Sequence, residues 1–230
     1  MKIEGSVALV TGANRGLGLA FAQALLNAGA AKVYAAARDP SQVTLARVTP
    51  LRLDITDRGQ VGAAAKAAPD VTLLINNAAI ARAVPLLAAD AERAVRETLE
   101  TNFFGTLSMI RAFAPVLKAN GGGAIVNMLS VLSWLNRPVL GAYAASKSAQ
   151  WALTNGVRNE LREQGTLVVG VHAAFIDTDM ARDFQAPKSR PEAVALQALA
   201  AVELGREEVL ADEVTRNVKR GLSAELATYL

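Results

Sequence analysis

Tyr143 and Lys147 stand four residues apart in Gly141-Ala142-Tyr143-Ala144-Ala145-Ser146-Lys147, and Ser130 precedes Tyr143 by thirteen residues. On a helix, an i,i+4 pair shares one face with side chains a turn apart. A lysine held there favours the phenolate and lowers the tyrosine pKa from about 10. A phenol tuned in this way exchanges a proton with a substrate oxygen near neutral pH. The spacing alone is common on solvated helices, so its meaning depends on what the rest of the chain places around it.

Short β-rich runs alternate with longer helical patterns along the 230 residues. Strands are predicted at 6–11, 32–37, 49–53, 72–76, 124–128, 167–173 and 208–211. Helices are predicted at 17–28, 57–67, 90–118, 142–164, 191–204 and 212–222. Apolar strands without alternation are buried on both faces. Their alternation with helices builds right-handed βαβ crossovers. The expected fold class is therefore α/β, a Rossmann-type doubly wound parallel sheet of about seven strands flanked by helices on both faces. Nothing linker-like divides the chain, and a single domain over 1–230 is expected.

Composition narrows the function classes. A 52% hydrophobic, 20% charged chain is globular rather than disordered. With no cysteine there is no disulfide framework, thiol nucleophile or thiolate metal site, and no metal site is expected. The single histidine, His172, lies in the apolar run 168–175 and reads as a core or strand-end residue. The formal charge is only +3, with cations scattered among acids, so no nucleic-acid footprint is expected. No stretch approaches the roughly 18–20 apolar residues of a membrane helix. A cytoplasmic protein acting on a small molecule is the expectation.

Thr11-Gly12-Ala13-Asn14-Arg15-Gly16-Leu17-Gly18 follows the first strand and opens the first helix. Glycines permit a tight turn and close backbone approach to a pyrophosphate, and the helix N-terminus offers free N–H donors. The second strand runs out into Ala37-Arg38-Asp39, where a dinucleotide fold reads the adenosine ribose. An acid there selects NAD and an arginine accommodates the 2′-phosphate of NADP. Arg38, with Arg15 as a second cation, favours NADP(H) over NAD(H). Asp39 either caps the next turn or serves as the ribose acid.

In this order, the segments Thr11 to Gly18, Asp54-Ile55-Thr56, Asn76-Asn77-Ala78-Ala79, Asn102, Ser130, and Tyr143 with Lys147 resemble the short-chain dehydrogenase/reductase superfamily. The resemblance is to its compact single-domain branch, of the NADP-preferring carbonyl reductase type. It implies that Gly12, Asn14, Arg15, Gly16, Leu17 and Gly18 bind the cofactor phosphates. Asp54 and Ile55 would form the adenine pocket, Asn77 and Ala78 would meet the ribose, the Ile176 backbone would hold the nicotinamide carboxamide, and Thr178 would meet the carboxamide or a phosphate. It further implies a catalytic set of Asn102, Ser130, Tyr143 and Lys147. Tyr143 would protonate the alkoxide, Ser130 would bind the same oxygen, Lys147 would lower the Tyr143 pKa and hold the ribose, and Asn102 would fix a water leading to Lys147.

Two departures stand out: Ala79 replaces the family's usual glycine, and Ala173-Ala174 replaces the usual Pro-Gly after strand six. The first is tolerable at negative φ and strained at positive φ. Trp134, Leu135, Met180 and Phe184 are expected as apolar pocket walls, with core or subunit packing as the alternative for Trp134 and Phe184. Resemblance also implies a homodimer, or a larger homotetramer, formed through the long helices. The expected activity is reversible reduction of a hydrophobic small or medium ketone or aldehyde by NADPH. A non-catalytic NADP-binding sensor and an epimerase or dehydratase on the same fold are the competing readings.

Overall fold

The computed structural model describes residues 1–229. The apolar runs form β1 (Val7–Thr11), β2 (Lys32–Ala37), β3 (Thr49–Arg52), β4 (Leu73–Asn76), β5 (Ala124–Met128), β6 (Leu167–His172) and β7 (Glu208–Leu210). They pair in parallel in one sheet of order β3-β2-β1-β4-β5-β6-β7. The intervening helices are α1 (Gly16–Asn27), α2 (Arg58–Ala67), α3 (Ala91–Leu99), α4 (Thr106–Ala119), α5 (Gly141–Glu160), α6 (Pro191–Glu203) and α7 (Glu213–Gly221).

Both faces of the sheet are covered, which explains why its strands show no polar alternation. Ala8 and Val10 of β1 pack into one core with Phe21 and Leu25 of α1 and Val194 and Leu199 of α6. Leu9, between them, points into the other core with Val61 of α2, Phe113 of α4 and Val157 of α5. Successive strand residues thus serve opposite layers. The strand order reverses at β1 and β4, and a crevice opens beyond their carboxyl ends, where doubly wound sheets take their ligands.

The helix expected over 90–118 differs in one respect. A π-helical segment, Glu100–Gly105, separates α3 from α4. Gly105 lies so close to Ile55 that an added Cβ would come within 2.8 Å of that side chain. The Thr106 hydroxyl donates to the Asn102 carbonyl at 2.8 Å within the same turn. The extra residue in this turn leaves Asn102 fully buried. Helix α5 stops at Glu160, short of the predicted 164, where a run of turns leads to β6. Among the described residues no helix is long and apolar enough to cross a membrane, and no group of ligating side chains could hold a metal ion.

Candidate active site

The loop from β1 to α1 brings glycine main chain to one wall of the crevice, with Asn14, Arg15 and Leu17 also in the lining. Gly12 has φ +67, a conformation side chains disfavour. A Cβ on Gly18 would lie 2.0 Å from the Gly12 carbonyl oxygen and 2.7 Å from Asn77 Nδ2, so the two turns touch backbone to backbone. Helix α1 has no side-chain cap and no acid in its first turn. Its N–H donors and positive dipole end are therefore free for an anion.

Thr11 and Asn77 fasten this loop to β4. The Thr11 hydroxyl accepts from the backbone N–H groups of Asn77 and Ala78, each at 3.0 Å. Asn77 Nδ2 donates to the Thr11 carbonyl at 2.9 Å. Ala79 lies outside the left-handed region, which among the described non-glycine residues holds only Arg47 and Val139, so its methyl brings no backbone strain.

At the end of β2, Asp39 is committed to capping. Its carboxylate accepts from Ser41 N at 3.1 Å, Ser41 Oγ at 2.7 Å and Gln42 Nε2 at 3.2 Å. Arg38 lines the cleft beside it. Arg15, the second cation expected from the sequence, lines the cleft as well, and its guanidinium pairs with Asp179 at 3.0 Å. Both partners are exposed, so the pair is worth about 0–1 kcal/mol and yields readily to a stronger anion. Asp54 Oδ1 accepts from Thr56 N and Oγ at 2.9 and 2.7 Å, which shapes the turn after β3.

The opposite wall is made of buried side chains. Ser130 follows β5, and its Oγ accepts from Leu132 N at 3.1 Å and donates to the Ala173 carbonyl at 3.4 Å. Tyr143 and Lys147 lie on the first turns of α5, with Nζ 5.6 Å from the centre of the phenol ring. Lys147 is only 2% exposed, and its Nζ donates to the Met128 carbonyl at 2.7 Å and to Gln150 Oε1 at 2.8 Å.

The expected lowering of the Tyr143 pKa is not what this arrangement produces. Desolvation pushes the phenol up to about 12, and the Ser130 hydroxyl offsets that only in part. Desolvation also brings the Lys147 ammonium down to about 7. Tyr143 is thus held as an acid.

Every predicted site residue lines a single cleft of about 750 Å³ except Asn102. The Asn102 side chain instead fastens the loop after β4. Its Oδ1 accepts from Ile80 N at 2.9 Å, and its Nδ2 donates to Ile80 O and Ser146 Oγ, each at 2.9 Å. Met180 and Phe184 line the cleft as expected, joined by Val131, Leu132, Leu140 and Phe175. Trp134 and Leu135 do not. The Trp134 indole stacks on His172 at 3.9 Å and meets Trp151 edge to face, behind the wall rather than in it.

His172 is what holds the loop that lacks Pro-Gly. Its Nδ1 lies 3.1 Å from the Ser130 carbonyl, which can only accept, so Nδ1 carries the hydrogen. The Ala174 N–H donates to Asp212 Oδ2 at 2.7 Å. Sequence reasoning missed Thr106 and Gln150, whose polar types at buried helix positions were the available signal.

The glycine cradle, the uncapped helix and the cleft volume fit a dinucleotide and a small substrate together. Comparison with known proteins agrees. The short chain dehydrogenase family profile matches residues 6–189. Galactitol 2-dehydrogenase from Agrobacterium fabrum is 33% identical over 188 residues, covering 77% of this chain and 73% of that protein. A short chain dehydrogenase from Burkholderia cenocepacia, solved in complex with NADP, is 44% identical with a TM-score of 0.94, covering 98% of this chain and 95% of that one. A short chain dehydrogenase/reductase from Burkholderia phymatum, solved with NAD, is 25% identical with a TM-score of 0.85, covering 96% and 94%. With the family match spanning most of its length, the chain belongs to the short-chain dehydrogenase/reductase family of oxidoreductases.

Proposed function

We propose that this protein reduces a ketone or aldehyde carbonyl of a hydrophobic small or medium compound to the alcohol, reversibly and with NADPH. The observation that carries this reading is the opening of Ser130, Tyr143 and Lys147 into the same cleft as the glycine cradle and Arg38. The chemistry that NADPH supplies when bound is a hydride for the carbonyl carbon. Tyr143, protonated at rest, gives its proton to the oxygen that becomes an alkoxide, and takes it back in the reverse direction. Ser130 Oγ binds the same oxygen and stabilises its developing charge.

Gly12, Gly16, Leu17 and Gly18 receive the pyrophosphate on main-chain donors, with Asn14 at the edge. Arg38 takes the 2′-phosphate, joined by Arg15 once it leaves Asp179. The use of Asp39 as a turn cap supports NADP over NAD, since a ribose acid is then lacking at that position. The NADP of the B. cenocepacia relative leans the same way, and the NAD of the B. phymatum relative makes a direct test worthwhile. Asp54 and Ile55 flank the adenine, Asn77 and Ala78 the ribose, and Ile176 and Thr178 the carboxamide. Asn102 acts by holding the loop at Ile80 rather than by touching substrate.

The same reading makes the chain one domain of a cytoplasmic homodimer or homotetramer, with the half-exposed Phe104 of the π-helical segment at the contact. Sedimentation equilibrium checks the assembly. The test of function is NADPH oxidation over a panel of aldehydes, ketones, diketones and quinones, with NADH in parallel. Turnover favouring NADPH is expected. Stoichiometric NADPH binding without turnover of any carbonyl would sink the catalytic reading, and an NADH preference would sink the role of Arg38.

A further inference from the structure

Gln150 is the least expected residue on α5, a 1% exposed amide one turn beyond Lys147 and outside the lining of the cleft. Its Oε1 accepts from Lys147 Nζ at 2.8 Å, and its Nε2 donates to Thr106 Oγ at 3.0 Å. The Thr106 hydroxyl in turn donates to the Asn102 carbonyl at 2.8 Å. This chain has only one sense. A carbonyl can only accept, so the Thr106 hydrogen goes to Asn102 and the Thr106 oxygen is left to accept from Gln150. The NH₂ group of Gln150 must therefore face Thr106, and its carbonyl oxygen must face Lys147. The amide cannot flip without placing two donors or two acceptors against each other inside the core.

An ammonium has three donors. One is taken by the Met128 carbonyl at the end of β5 and one by Gln150. We infer that Gln150 is a positioning residue for Lys147: with the Met128 carbonyl it fixes two of the three Nζ hydrogens, so that the third is the one presented to the cleft. The π-helical segment is the anchor of this brace, because Thr106 and Asn102 both belong to that turn or its edge. The brace orients and does not conduct, since an amide holding one donor and one acceptor partner passes no proton along the line. It also favours the charged lysine, because Oε1 is bonded to the ammonium form.

The inference rests on the carbonyl-reduction reading for its kinetic consequence but not for its structural one. The test compares the intact protein with Gln150→Met, which keeps length and loses hydrogen bonding, and with Gln150→Glu, which keeps an acceptor toward Lys147. The Lys147 Nζ signal of ¹⁵N-lysine-labelled protein is titrated by NMR without cofactor. NADPH affinity and the pH profile of alcohol oxidation are then measured. In Gln150→Met the lysine should titrate at lower pH, the acid limb of oxidation should move to higher pH, and kcat should fall about tenfold to a hundredfold. Gln150→Glu should hold the lysine charged to higher pH and recover kcat over the methionine variant.

An unmoved lysine titration and pH limb in Gln150→Met would overturn the inference, as would a loss in Gln150→Glu equal to that in Gln150→Met, which marks a packing role. Should the methionine variant not fold, Thr106→Val replaces it by removing the partner that fixes the amide, and an unmoved lysine there is equally fatal. Wild-type turnover decides the parent reading. The lysine titration needs no turnover, so the two failures are distinguishable.

Discussion

The two walls of the cleft are built on opposite principles. The wall under β1 and α1 is built around main chain: Gly12 and Gly18 in backbone contact and free N–H groups at the start of α1, with Arg15 reaching from it to Asp179. The wall formed by β5, α5 and β6 is side chain, buried and bonded across distant segments. Ser130 leans on His172 and Ala173, Lys147 on Met128 and Gln150, and Gln150 on Thr106. A main-chain wall tolerates no added atom but asks little of its neighbours. A side-chain wall tunes acidity through burial, and each of its members depends on partners more than forty positions away in some cases, as Ser130 does on His172.

The sharpest way to separate the walls is to remove the phenolic oxygen. Tyr143→Phe should lower kcat about 10²–10⁴-fold while NADPH affinity holds, because the loss falls on proton transfer alone. Steady-state kinetics beside fluorescence titration of NADPH reads both. Near-normal turnover would remove Tyr143 from the chemistry and dissolve the distinction between walls.

The pH dependence of stability probes the side-chain wall next. Burial holds His172 down to about 4, against about 6.5 in the unfolded chain. Between those values the unfolded chain binds a proton that the folded one refuses. Stability is thus full above about pH 6.5 and drains as pH falls toward about 4, by about 3 kcal/mol. Urea unfolding at several pH values should show this slope in the wild type and a flatter one in His172→Gln. Equal slopes would mean that His172 titrates freely.

Gly18→Ala is the matching test of the main-chain wall. The new methyl meets the Gly12 carbonyl and must displace the loop, costing about 1–3 kcal/mol and weakening NADPH binding more than kcat. Unchanged affinity and an unchanged urea midpoint would show that the cradle is looser than its contacts. The smallest effect belongs to Val139, a β-branched residue at φ 61 in the loop before Tyr143. Val139→Gly should relieve strain and raise stability by about 1 kcal/mol, measured as a higher urea midpoint; a lower midpoint would place the strain elsewhere.

What could be read in advance follows the same division. The glycine loop, the positions of the seven strands and the place of Arg38 at the end of the second were legible because each is a local pattern with a local cause. The break at Glu100–Gly105 was not, because the helical pattern over 90–118 continues through it, and the residue that Gly105 packs against, Ile55, is distant in sequence. The pairing of Arg15 with Asp179 was not legible, because nothing near Arg15 announces a partner 164 positions away. For Trp134, pocket wall and core packing could not be told apart from its place beside Ser130, because its stacking partner His172 arrives from β6. The Tyr143 shift went the opposite way because spacing fixes which side chains share a helix face, but not how much water reaches them.

By itself, then, the sequence determined the alternation of strands and helices, the glycine-rich turn after the first of them, and the presence of a serine, a tyrosine and a lysine at fixed spacing. Periodicity, glycine φ and helix pitch act over a few residues, and a linear chain carries them openly. The tertiary structure decided which of those groups share a cleft, that Tyr143 rests as an acid, and that Lys147 is held by Gln150 rather than left to solvent. Desolvation and long-range hydrogen bonding exist only once β5, α5, β6 and the π-helical turn have packed together.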